Sequence, residues 1–384
     1  MKSYGIFPFL ISITLFSSSC ERLLIQSDTD FPYETAQFSA DYVQKNEGKI
    51  TFETPELYEL MKVAISFTDY SKANSGNIIN TQSAYFREVQ SQFQGYKSHA
   101  LIQKLNGRIK SINDDYKYRD NSYGFEFDKN NKVVSRNIYP FVGGGFYVKN
   151  LFKELIPDLE DFAEKTKFRA FYQSRQSFYE GLIAYQSVVM PAKKMQDWLE
   201  ARFPARYNSL RIVFSPLTGG NHQTVKFETP NFKEILMFVS FADFDKNKYT
   251  AKQIEGLASR IVFTEIDHNY VNSITEKYSN ELKTAMPDWK TWNNPNGTSK
   301  SCNSSTLTFN EYMTWGVFTL YVVDNFSKTD FEIINQEAEA TMRNRGFNKF
   351  VIFNKEILRV YTENPKITVD DLYLKMFEWM KKQG

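Results

Sequence analysis

Hydrophobic positions follow several different spacings along the chain. Residues 6–16 (IFPFLISITLF) form an apolar run broken only by Pro8, Ser12 and Thr14. From Thr54-Pro55 onward, Leu57, Leu60, Met61, Val63, Ala64 and Ile65 recur with helical spacing, and proline suits a first helical turn. A second helical region is predicted over 82–105, through Tyr85, Phe86, Val89, Phe93, Tyr96 and Ala100. Residues 123–127 and 133–138 alternate about Asp128-Lys129-Asn130-Asn131, the pattern of a hairpin. After Gly143-Gly144-Gly145 a largely helical stretch runs from 150 to 202. Three strand-like runs follow, at 209–215, 223–228 and 234–239, and Gly219-Gly220 predicts a hairpin between the first two. The remainder, 252–382, reads as helices interrupted by a polar loop at 293–305. These elements predict an α+β fold: a helical N-terminal part, a small antiparallel sheet, then long C-terminal helices.

The N-terminal run gains meaning from its flanks. Met1-Lys2 supplies positive charge, Ser17-Ser18-Ser19 supplies small residues, and Cys20 follows directly. Charge, apolar core and small residues in that order are the pattern of a secretory signal. The run is too short to span a bilayer, which takes about 20 apolar residues. A cysteine at the junction predicts lipoprotein processing, with lipid on Cys20 and a body at the cell envelope, facing the periplasm or the outside. The expected division is signal peptide 1–19, lipidated tether and initial extended segment 20–50, a mainly helical region with a hairpin 51–205, and a final region 206–384.

Charge and cysteine content narrow the function classes. The chain has 384 residues, with 47 basic and 45 acidic among them. Near-neutrality leaves no basic excess to neutralise phosphates, which argues against a nucleic-acid partner. There are two cysteines; with lipid on Cys20, Cys302 is expected to be a free thiol. The membrane then enters only through the lipid anchor.

The chemistry-bearing stretch is 254–278 (IEGLASRIVFTEIDHNYVNSITEKY). Glu265 and His268 are three apart on one helical face, and Thr264 and His268 are four apart. His-Glu-x-x-His on a helix binds zinc through two imidazoles while the glutamate activates water. Here the first imidazole is replaced by the hydroxyl of Thr264, a poor zinc ligand. The chain has three histidines, at 99, 222 and 268. His99 lies in a polar patch and reads as exposed; His222, in Thr218-Gly-Gly-Asn-His222, is a candidate to complete the set from the sheet edge. Glu311 is a lone charge on an apolar helix, and burial requires a metal, arginine or histidine to neutralise it. Tyr270, Tyr312 and Tyr321 are candidate donors to an oxyanion, with Tyr321 preferred.

With these residues in view, the chain resembles a family of Bacteroidota lipoproteins labelled as a domain of unknown function. The resemblance runs through residues 53–60 (ETPELYEL), 85–89 (YFREV), the glycine turn near His222, residues 263–272 (FTEIDHNYVN) and the helix bearing Glu311. It implies a zincin-like fold of the gluzincin type, with zinc held by His268 and Glu311, and His222 remains the candidate from the sheet edge to complete the set. It also implies Glu265 as general base and a peptide or protein substrate. The departure at Thr264 favours a second expectation, a catalytically inactive binding or interaction module on the same frame.

Overall fold

The computed structural model describes residues 36–139 and 151–383. The signal segment 1–19, Cys20 and the glycine break at 143–145 lie outside the described residues. The fold is α+β, with long helices around a four-stranded sheet and a separate two-stranded hairpin. No described helix is long and apolar enough to cross a membrane.

The sheet runs β1 (Ile50–Glu53), β4 (Ser209–Ser215), β6 (Lys233–Ser240) and β5 (Gln223–Glu228) in spatial order. β1 is parallel to β4, β4 is parallel to β6, and β5 lies antiparallel to β6 at the edge. The predicted antiparallel sheet is therefore corrected to a mixed one. Interior strands β4 and β6 are near-continuous apolar runs because both their faces are covered. β5 is more polar and only partly buried, as an edge strand must be.

The predicted pairing of the first two runs is also corrected, since β6 sits between β4 and β5. The glycines make no hairpin turn; they allow a close crossing. A Cβ on Gly219 would lie 2.4 Å from the Asn77 carbonyl oxygen. Gly220 and Asn221 donate backbone N–H groups to the carbonyls of Gly76 and Asn77. This crossing delivers His222 to the start of β5.

The two sheet faces serve different cores. Ile212, Phe214, Ile235, Met237 and Val239 pack with the C-terminal helices, while Val213, Leu236 and Phe238 pack with Tyr58, Tyr123 and Tyr139. The alternation follows from the two-residue strand period. A third cluster, from Leu57 to Tyr179, fills the N-terminal helices.

Elsewhere the hydropathy reading places most elements well. The helix Glu56–Ser66 follows Pro55, and β2 (Phe125–Phe127) pairs antiparallel with β3 (Val133–Ser135) around Asp128. The segment ahead of β1 differs, because Ala40–Asn46 is a helix capped by Ser39. The helical region predicted over 82–105 consists of two helices, Ala84–Phe93 and Ala100–Arg108. His99 makes the second start: its Nδ1 accepts from the Leu101 N–H, and its Nε2 lies 2.8 Å from Asp161. Its side chain is only 7% exposed, so the expectation of an exposed histidine is corrected. Cys302 is buried and disulfide-bonded, which corrects the expected free thiol.

Candidate functional site

The long helix Ala251–Lys277 carries the site. It starts on a capping box in which Thr250 accepts from the Gln253 N–H while the Gln253 side chain accepts from the Thr250 N–H. Its partner, Ser305–Asn325, is capped by Ser304. The two run antiparallel: His268 meets Glu311, Arg260 meets Trp315, and Phe263 meets Phe318 and Tyr321. Both are buried on most of their circumference. Polar side chains along them are therefore held inside the protein rather than on a solvated face.

Glu265, His268 and Glu311, all named from sequence, come together. His268 Nε2 lies 3.4 Å from Glu311 Oε1, and its Nδ1 lies 3.3 Å from both Thr314 Oγ1 and Asn272 Oδ1. Glu265 is fully buried, and neither carboxylate oxygen has a hydrogen-bond partner among the described residues. Burial pushes its carboxyl up to about 7; the Glu311 charge adds to the rise, while His268, Arg345 and Arg119 oppose it. Asp267, on the same turn, is held well above the usual carboxylate range by burial and by the charges of Glu265 and Glu311.

Arginines that the motif reading passed over also act on this cluster. Arg345 ends the helix Lys328–Arg345, and its Nη2 lies 2.7 Å from Glu311 Oε2. Arg345 and Arg260 both place guanidinium carbons over the Trp315 ring, 5.6 and 4.9 Å from its centroid. Arg119, fully buried, pairs with Asp115 and Asp120 and donates to the Asn221 carbonyl beside His222. A sequence signal for Arg260 exists, since residues 260, 264 and 268 share one helical face. Arg345 reads in sequence as an ordinary cation in a last helical turn before Gly346, so nothing local marks it.

His222 does not join the cluster as a ligand. Its Nε2 lies 2.9 Å from Ser240 Oγ, and burial followed by the charges of Arg260, Arg119 and Arg345 pushes its imidazole down to about 3. It is thus neutral at ordinary pH, and it shares the field of Arg119 and Arg345 with Glu265.

Two of the three tyrosines are hydrogen-bonded elsewhere. Tyr270 donates to Glu200, and Tyr312 donates to the Trp292 carbonyl. Tyr321 stands ten residues beyond Glu311, about 15 Å along the helix axis, packed between Phe263 and Trp198. Its buried hydroxyl has no hydrogen-bond partner among the described residues.

A zinc site needs three protein ligands converging on one point, with an open position for water. Thr264 instead turns back on its own helix, its hydroxyl donating to the Arg260 carbonyl at 2.9 Å. The Arg345 guanidinium already neutralises Glu311. Among the described residues no group of three or more His, Cys, Asp or Glu is disposed to hold a metal ion. The donor set does not fit zinc.

No protein-family model matches the chain, no curated protein matches it, and no solved structure matches it.

Proposed function

We propose that this chain is an exported envelope protein whose body is a binding or interaction module on a zincin-like frame, without zinc peptidase activity. One observation carries the reading: Arg345 lies 2.7 Å from Glu311, so a guanidinium supplies the positive charge that a metal would supply beside Glu311 and His268. The frame is supported by the mixed sheet with one antiparallel edge strand, followed in sequence by the long helix and its antiparallel partner. A hydrolase reading draws on Glu265, whose carboxyl near 7 suits a general base. Full burial of Glu265 and the ion pair beside it weigh against that reading.

Export rests on the N-terminal pattern of charge, apolar core and small residues. The disulfide at Cys302 fits the same compartment, because such bonds persist in oxidising surroundings. Lipid on Cys20 is proposed for the form of the protein in which Cys302 is reduced, since the chain has two cysteines. The occupant of the module is a peptide or protein partner at the envelope.

The test is peptide hydrolysis by the full chain beside Glu265→Gln, each with and without a metal chelator. The account expects no turnover above buffer in any arm. Chelator-sensitive hydrolysis that disappears in Glu265→Gln would overturn it.

A further inference from the structure

Arg260 is 6% exposed, yet no carboxylate pairs with its guanidinium among the described residues, and its Nε has no hydrogen-bond acceptor. Arg345, which shares the Trp315 ring, has Glu311 as its counter-charge; Arg260 has none in contact. Glu337 acts on Arg260 at a distance, but its Oε1 is committed to Tyr249 and Lys248. A buried cation without a counter-charge is costly, and proteins answer that cost with an anion or by neutralising the group. Burial lowers Arg260 only to about 10, so it stays charged at neutral pH.

Two further buried nitrogens also lack partners. The Trp315 indole Nε1–H, on the ring that Arg260 covers, is buried without an acceptor. His222 Nδ1 is buried without a partner, its ring fixed through Nε2 at Ser240, and Arg260 is the charge acting most strongly on it. The guanidinium and the indole can only donate; neutral His222 donates from Nδ1 when Ser240 donates to Nε2. These elements come from three separate parts of the chain: the long helix, its antiparallel partner and the crossing before β5.

We infer that Arg260 and Trp315 form a buried receptor for a small oxyanion, either a carboxylate or inorganic phosphate. The planar fork of Arg260 takes two oxygens, as guanidinium does with both classes. The site is independent of whether the frame is zincin-like, because neither Glu311 nor His268 contributes a contact to it.

Calorimetric titration of the full chain with sodium acetate and, separately, sodium phosphate at fixed ionic strength tests this. Saturable binding of acetate identifies a carboxylate site, and saturable binding of phosphate identifies a phosphate site. Binding should weaken about tenfold or more in Arg260→Gln, the loss expected for a charge-assisted pair. Arg260→Lys keeps the charge without the fork, so it serves as the second variant if Arg260→Gln does not fold; it too should bind more weakly while circular dichroism stays unchanged. Failure of both anions to saturate, or unchanged affinity in the variants, overturns the inference.

Discussion

Glu265 combines full burial with a carboxyl raised from 4.5 to about 7. The folded state therefore holds this proton more tightly than the unfolded chain. The stability it contributes is fully present below the unfolded value and is lost as pH rises through the folded one. A shift of that size is worth about 3 kcal/mol. Glu59, also buried and raised to about 7 by burial, shapes the same window, so the wild-type profile contains both shares. Glu265→Gln should match wild type near pH 5 and exceed its stability by about 2–3 kcal/mol near pH 8. Urea unfolding at the two pH values checks it, and equal curves for both proteins at the higher pH would contradict it.

At Arg345 the expectation runs the other way. Arg345→Met removes the guanidinium that lies 2.7 Å from Glu311 and should cost about 3–5 kcal/mol, the usual loss when one partner of a buried pair is removed. Adding Glu311→Gln should recover most of that loss. A double-mutant cycle by denaturant unfolding measures the coupling, and a near-zero coupling energy would show that the pair is not what holds Glu311.

The elements were readable where their physics is local. Helical spacing after Thr54-Pro55 and alternation about Asp128 needed only near neighbours, and both elements lie close to where their patterns put them. The strand runs near 209, 223 and 234 were legible as strands, but their order was not. Pairing β4 with β6 rather than β5 depends on the crossing at Gly219 against Asn77, a contact across more than a hundred residues. The break at His99 was missed because a histidine accepting a backbone N–H as a helix cap leaves no trace in hydrophobic spacing.

The candidate site divides the same way. Glu265, His268 and Glu311 were legible from helical spacing and from one charge on an apolar helix. Arg345 belongs to a third helix, and only folding sets it against Glu311.

Packing of the long helix gives a prediction at this scale. A Cβ on Gly256 would lie 2.1 Å from Ile334 Cδ1. Gly256→Ala should therefore destabilise by about 1–3 kcal/mol despite the better helix propensity of alanine. A melting temperature at or above that of wild type would show that the Lys328–Arg345 helix has room to shift.

At the scale of the whole molecule, the sheet sorts its two faces into separate cores, and the polar cluster lies beside the core shared with the C-terminal helices. The chain holds two cysteines, so lipid on the Cys20 sulfur and a bond from that sulfur to Cys302 exclude each other within one molecule. Intact mass of the envelope-purified protein, before and after reduction, separates the two. A lipid-sized mass increment lost in Cys20→Ser supports the anchor, whereas a two-hydrogen gain on reduction without lipid replaces it with a cross-link.

The central claim is that a guanidinium stands where a zinc enzyme carries its metal. Elemental analysis of the full chain, incubated with zinc and then freed of unbound ion, tests this most directly. The account predicts no stoichiometric zinc, in wild type and in His268→Ala alike. One zinc per chain in wild type, lost in His268→Ala, would contradict it.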